Sequence, residues 1–139
     1  MGPITVAFVC VQNAGRSQMA AAFAKREKER RAVDVRILTG GTDPAEHVHP
    51  EVVETMQERG IDLGKRKPQE IRTEELHSSD IVITMGCSAD DVCPANFDGT
   101  NRDWDLTDPD GRDPDTVRSI RDDVERRVSE LFDELGDEI

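Results

Sequence analysis

The sequence predicts an α/β fold, with a four-stranded parallel sheet between layers of helices. Three observations point there. Short apolar runs, Ile4–Val9 and Ile81–Met85, read as buried strands. Longer segments of helical character lie between and after them, so strands alternate with helices. The last segment carries Val117, Ile120, Val124, Val128, Leu131 and Leu135 at three- and four-residue steps, the stripe of an amphipathic helix. Neither repeats nor an internal boundary are visible, so residues 1–139 are read as one domain.

The elements follow in order. Residues 4–10 form the first strand. A helix runs from about Ser17 to Arg30, because Gln, Met, Ala and Lys are good helix formers. Its inner face is expected to carry Met19, Ala22, Phe23 and the stem of Arg26. Val33–Leu38 alternates apolar and polar residues and reads as a second strand, half buried or at an edge. Thr39-Gly40-Gly41-Thr42 should close it with a turn. Pro50 suits the start of the next helix, Val52, Val53, Met56 and Ile61 give its buried side, and Gly60 is a stop. Residues 62–72 read as a loop, and Thr73 as the cap of a short helical turn. The third strand is Ile81–Met85. A loop over 86–100, a short strand Arg102–Leu106, and an Asp-, Pro- and Gly-rich loop precede the last helix, which runs from about Asp115 to Leu135.

Composition narrows the partners. The chain holds 30 acidic and 18 basic residues, a net charge of −12. Lysine is scarce: Lys25, Lys28, Lys65 and Lys67 are the only ones, and the other basic residues are arginines. The grouped apolar runs argue against disorder and for a folded protein with an acidic, strongly hydrated surface, as in salt-adapted organisms. Such a surface disfavours nucleic acid and anionic membranes as partners. No apolar run approaches the ~20 residues of a membrane span, and no signal peptide is visible. A cytoplasmic monomer is expected. Three cysteines in a reducing compartment suit catalytic or redox work better than static disulfides.

The chemistry concentrates in Cys10-Val11-Gln12-Asn13-Ala14-Gly15-Arg16-Ser17. A cysteine ends a strand, an arginine opens a helix, and a short loop joins them. Loop amides and the helix N-terminus attract an anion. The planar fork of Arg16 can grip two of its oxygens. Val11, Gln12, Asn13, Ala14, Gly15 and Arg16 are therefore the expected oxyanion-binding residues. In that positive field Cys10 is expected to act as a thiolate nucleophile. Against this stands a plain alternative, a buried structural cysteine beside a surface arginine. The strand before the loop, and the serine and helix after it, favour the anion site.

Cys87 and Cys93 bracket five loop residues, close enough in the chain for one thiol to reach the other. Two ordinary loop cysteines, or a zinc site, are the alternatives. None of His47, His49 and His77 stands at a ligand spacing from the cysteine pair, so no metal is expected, and His47 and His49 read as surface loop residues. Asp108, in Leu106-Thr107-Asp108-Pro109, follows the fourth expected strand. It could protonate a leaving oxygen, with Asp105 as competitor and a turn-forming role as the plain alternative. All these segments follow strands, so they share the carboxyl edge of the sheet, where α/β folds bind ligands.

With these residues in view, the chain resembles the thioredoxin-coupled arsenate reductases, which share the low-molecular-weight protein tyrosine phosphatase fold. Phe8–Ala20 resembles their anion loop; Thr84–Cys87, Cys93-Pro94 and Asp103–Gly111 resemble the rest of the site. The resemblance implies that Cys10 attacks arsenate held by the loop and Arg16 while Asp108 protonates the departing oxygen. Ser17 would stabilise the thiolate and Asn13 would brace the loop. Cys87 would then attack Cys10, releasing arsenite, and Cys93 would attack Cys87. Thioredoxin would reduce the resulting Cys87–Cys93 disulfide, with no organic cofactor. Some relatives bind potassium through a glutamate at the place of Ala21, which cannot ligate; others use a small thiol as reductant.

A phosphatase of the same fold is the main rival, using Cys10, Arg16 and Asp108 alone. Such enzymes usually carry aromatic residues after the acid; here Pro109 is followed by Asp110-Gly111, and the chain has no tyrosine. Weak phosphatase side activity is expected either way. A non-catalytic oxyanion or redox sensor is the third class.

Overall fold

The computed structural model describes residues 4–10, 12–85, 100–104, 106–107, 109 and 111–136. The strands β1 (Ile4–Cys10), β2 (Val35–Gly41), β3 (Ile81–Thr84) and β4 (Thr100–Asp103) form one parallel sheet in the order β2-β1-β3-β4. The chain moves outward from β1 to β2, then returns to the other side of β1 for β3. The order therefore reverses beside β1, and the carboxyl end of β1, at Cys10, lies at this switch point. This is the expected α/β fold.

Helices α1 (Arg16–Arg31) and α4 (Pro114–Leu135) pack together on one face of the sheet. Val6 and Phe8 of β1 and Ile83 of β3 meet Met19, Phe23, Val124, Val128 and Phe132 there. The larger core forms on this face, and α2 (Pro50–Gln57) adds Val52 and Met56 to it. The opposite face of β1 presents Ala7 and Val9 to a smaller cluster with Val82, Ile71 and Leu76 of α3 (Thr73–His77). Burial of β1 on both faces explains its unbroken apolar sequence. The α4 stripe is buried at all six expected positions. On α1, Ala20, Ala24 and Glu27 lie deeper than the expected Ala22 and Arg26.

Three boundaries differ from the sequence reading, each for a physical reason. Thr39-Gly40-Gly41 is strand rather than turn. The segment 69–71 runs alongside it, with Gly41 N–H donating to Gln69 O and Ile71 N–H donating to Gly41 O. A Cβ on Gly40 would stand 2.8 Å from Ile71 N, so glycine permits the approach. The fourth strand covers Thr100–Asp103, not 102–106, because β3 offers only four residues to pair with. Trp104 N–H closes the ladder on Thr84 O at 2.8 Å. Thr73 is the first helical residue of α3 and not its cap; Arg72 holds that place, its N–H donating to the Glu75 carboxylate at 3.1 Å. Helix α4 starts at Pro114, capped by Asp113, whose carboxylate accepts from Thr116 N–H. Among the described residues, no helix is long and apolar enough to cross a membrane.

Candidate active site

Cys10 is the last residue of β1 and is 3 % exposed. The loop after it turns its carbonyls outward. Gln12 O accepts from Ala45 N–H at 3.0 Å, and Asn13 O from Gln18 Nε2 at 3.1 Å. Ala14 O accepts from His49 N–H at 2.9 Å, and Gly15 O from Met19 N–H at 3.0 Å. In a planar trans peptide the next N–H points the opposite way. The amides of Asn13, Ala14, Gly15 and Arg16 therefore turn toward the concave side of the loop. The first of them shows the direction directly: Asn13 N–H donates to Cys10 Sγ at 3.2 Å.

Helix α1 begins immediately afterward. Gly15 at its N-cap supplies no side-chain acceptor, and the first turn carries no acidic residue. The orphan amides and the positive end of the helix dipole are thus left for an anion. Arg16 is half buried, and its Nη1 donates to Leu106 O at 2.9 Å. That bond ties the guanidinium to the chain leaving β4.

The sulfur has a second partner. Ser17 Oγ lies 2.9 Å from Cys10 Sγ. Ser17 Oγ also accepts from Asn13 Nδ2 at 2.8 Å, which directs the hydroxyl proton toward sulfur. One amide and one hydroxyl then face Sγ.

Asn13 is the hub of the loop. Its Nδ2 donates to Ser17 Oγ and to Thr39 Oγ1, and its Oδ1 accepts from Gln18 Nε2 and Gln69 N–H. All four hydrogen-bonding positions of the amide are filled, in a side chain with no exposed surface. Asn13 has φ of 51°, a left-handed conformation that asparagine tolerates better than most residues. Thr39 is fixed in turn by donation to Phe8 O at 2.9 Å, and Gln69 Nε2 donates to Thr39 O at 2.7 Å.

The residues expected from sequence are found as follows. Cys10, Asn13, Ala14, Gly15 and Ser17 are buried together, Arg16 stands beside them, and Gln12 is exposed. Val11, Cys87, Cys93, Asp105 and Asp108 lie outside the described residues. On either side of Asp108, Leu106 is bonded to Arg16 and Pro109 packs on the loop. A Cβ on Gly15 would stand 2.9 Å from Pro109 Cγ.

Sequence reasoning missed four participants. Gln18, Thr39 and Gln69 hold Asn13, and His49 was read as a surface residue. His49 is half buried at the N-cap of α2, donates its N–H to the loop, and places its ring near Gly15. His47 is exposed, as expected. Parallel pairing was the available signal for Thr39: it stands opposite Phe8, two residues before Cys10. Gln69 and His49 reach the loop from separate turns and gave no signal at the level of sequence. Among the described residues, no group of three metal-ligating side chains occurs.

The chain is similar to known proteins in sequence and fold. A Halobacterium salinarum protein named "Putative arsenate reductase" is 60% identical over 93% of this chain and 91% of its own length. The solved thioredoxin-dependent arsenate reductase of Corynebacterium glutamicum superposes with a TM-score of 0.80 at 33% identity, covering 99% of this chain and 64% of that one. A structure described as an arsenate reductase in the phosphate binding state gives 0.81 at 32% identity, covering 94% and 98%. The model of the low-molecular-weight phosphotyrosine protein phosphatases matches residues 5–139. That match takes in nearly the whole chain, from the first strand through the last helix, and the chain therefore belongs to the low-molecular-weight phosphotyrosine protein phosphatase family.

Proposed function

We propose that this protein reduces arsenate to arsenite through a thiol relay. The observation that carries the reading is the sulfur of Cys10, held by Asn13 N–H and Ser17 Oγ beneath a ring of inward amides. Inward amides at a helix start suit a tetrahedral oxyanion, and Cys10 Sγ beneath them is the group that would attack it. The similarity to proteins named arsenate reductases supports arsenate as the anion.

The Cys10 thiolate attacks arsenic and forms an S–As bond, while a hydroxide leaves as water with a proton from Asp108. The amides and Arg16 hold the remaining oxygens. Cys87 thiolate then attacks Cys10 Sγ. The S–As electron pair goes to arsenic, which departs as arsenite, and a Cys10–Cys87 disulfide forms. Cys93 attacks Cys87 and frees Cys10, and a thioredoxin dithiol reduces the Cys87–Cys93 disulfide. Two electrons enter from thioredoxin for each arsenic reduced.

The family and the loop also fit hydrolysis of phosphate monoesters through a phosphocysteine on Cys10, with the same Arg16 and Asp108. Turnover of arsenate and of an aryl phosphate, each with and without thioredoxin and its reductase, separates the two. Arsenate consumption that depends on thioredoxin, and stops in Cys93→Ser after one Cys10–Cys87 disulfide has formed, is the expected result. Equal cycling by Cys93→Ser, or aryl phosphate as the better substrate, would overturn the relay. Cys10→Ser should lack both activities.

A further inference from the structure

The four lysines of the chain fall in two segments: Lys25 and Lys28 on α1, and Lys65 and Lys67 in the loop between α2 and α3. The structure brings these segments together. Lys25 and Arg66 line one small cavity with Gln18 and Thr39. Burial, and then the charge of Arg66, push the Lys25 ammonium below its ordinary pKa. Lys65, Arg66 and Lys67 are exposed; Lys25 and Lys28 are half buried.

None of these five cations is held in an ion pair among the described residues, and Lys25 and Arg66 come together in space. Most other arginines are paired: Arg26 with Glu125, Arg31 with Glu27 and Asp133, Arg118 and Arg121 with Glu58, Arg126 with Asp123 and Glu130. Arg36, Arg72 and Arg112 also make no ion pair among the described residues, but none of them lines the cavity shared by Lys25 and Arg66. Acids outnumber bases 30 to 18 in this chain, so a group of neighbouring cations outside any ion pair stands out. Its repulsion is relieved when an anionic surface meets it.

We propose that Lys25, Lys65, Arg66 and Lys67, with Lys28 one turn along, form the docking patch for an acidic dithiol protein of the thioredoxin type. The proposal rests on the arsenate-reduction reading, which calls for an external protein reductant. A net charge of −12 repels another acidic protein over most of the surface. This patch is where approach is favoured. It also adjoins the site, since Gln69, two residues after Lys67, donates its N–H to Asn13 of the anion loop. Nucleic acid is a poorer occupant, because the loop cations are flanked in sequence by Asp62 and Glu70 and the whole chain opposes a polyanion.

The test uses Lys65→Glu combined with Lys67→Glu, two exposed side chains without hydrogen bonds. Arsenate reduction is measured near 0.1 M salt with a thioredoxin of net negative charge, and separately with uncharged dithiothreitol. The KM for thioredoxin should rise about tenfold, with kcat, the KM for arsenate and the dithiothreitol rate unchanged. In the wild type that KM should climb with added salt, and in the variant it should not. A thioredoxin KM within twofold of wild type overturns the patch. A higher KM for arsenate with both reductants also overturns it, by assigning the cations to steering the oxyanion. A binding titration of the same thioredoxin against wild type and variant, without arsenate, stands whatever the substrate is. Equal affinities overturn the docking patch, and a matching tenfold loss supports it. Failure of the wild type to turn over arsenate with either reductant would instead overturn the reduction reading, leaving the titration to decide the patch.

Discussion

Asn13→Asp separates the reactivity of the anion loop from its folding. The replacement has nearly the same shape. Both acceptor bonds, from Gln18 Nε2 and Gln69 N–H, can persist on the new carboxylate. The two donor bonds to Ser17 Oγ and Thr39 Oγ1 are lost. Those hydroxyls can turn and donate to the carboxylate instead, which offsets part of the cost of burying its charge. The Ser17 proton then no longer faces Cys10 Sγ, at present 2.9 Å from its oxygen. A hydrogen bond to a charged acceptor contributes about 1.5–3 kcal/mol. Its loss corresponds to a slowing of Cys10 alkylation by up to roughly 10- to 150-fold, the limit that holds when none of the lost stabilisation returns as nucleophilicity. The assay is alkylation of Cys10 by iodoacetamide at pH 7, with Cys87 and Cys93 replaced by serine. Urea unfolding of the same variant reports the fold. In a Ser17→Ala background the same replacement should cost less, because only the repulsion between the new carboxylate and the sulfur then remains. An unchanged alkylation rate, or equal losses in both backgrounds, would refute the role given to the Asn13–Ser17 pair.

Other outcomes follow from particular contacts. Gly15→Ala places a methyl 2.9 Å from Pro109 Cγ and should displace the segment that crosses the loop. Overpacking of about 1–3 kcal/mol is expected, with weaker inhibition by inorganic phosphate; undiminished phosphate affinity would contradict the close approach. Ala32 closes α1 in the left-handed region, with φ of 53°. Ala32→Gly removes about 1–2 kcal/mol of steric cost and loses some of it to the freer unfolded chain, so the urea midpoint should rise by a small, measurable amount. Glu58 is held below the ordinary carboxylate range by hydrogen bonds from Arg118 and then Arg121. A depressed folded pKa contributes stability above the unfolded value, about pH 4, and loses it as pH falls through the lower folded value. Glu58→Gln should therefore flatten the acid limb of stability against pH, and identical limbs would show the pair to be inert.

Much of the site was legible because it is local. Cys10, Asn13, Gly15, Arg16 and Ser17 lie within eight residues, and strand, loop and helix propensities place them without distant help. The buried strand β1 and the α4 stripe were legible for a similar reason: periodicity reports burial directly. The failures were non-local. Gly40-Gly41 looked like a turn because glycine marks both turns and close backbone approach, and only the arrival of Ile71 distinguishes them. Strand β4 was placed two residues late because its extent is set by pairing with β3, not by the apolar Trp104 and Leu106.

The sequence alone determined the loop that joins Cys10 to Arg16, the alternation of strands and helices, and the scarcity of lysine, since each is a property of residue types and short spacings. Tertiary structure decided how the loop is held open. Gln12, Asn13 and Ala14 carbonyls are turned outward by Ala45, Gln18 and His49, and Asn13 is locked by Thr39 and Gln69. These partners come from four other segments, and a buried polar group must find its partner wherever the packed chain supplies one. The same packing set Lys25 beside Arg66, forty-one residues away, and made a scattering of lysines into a surface.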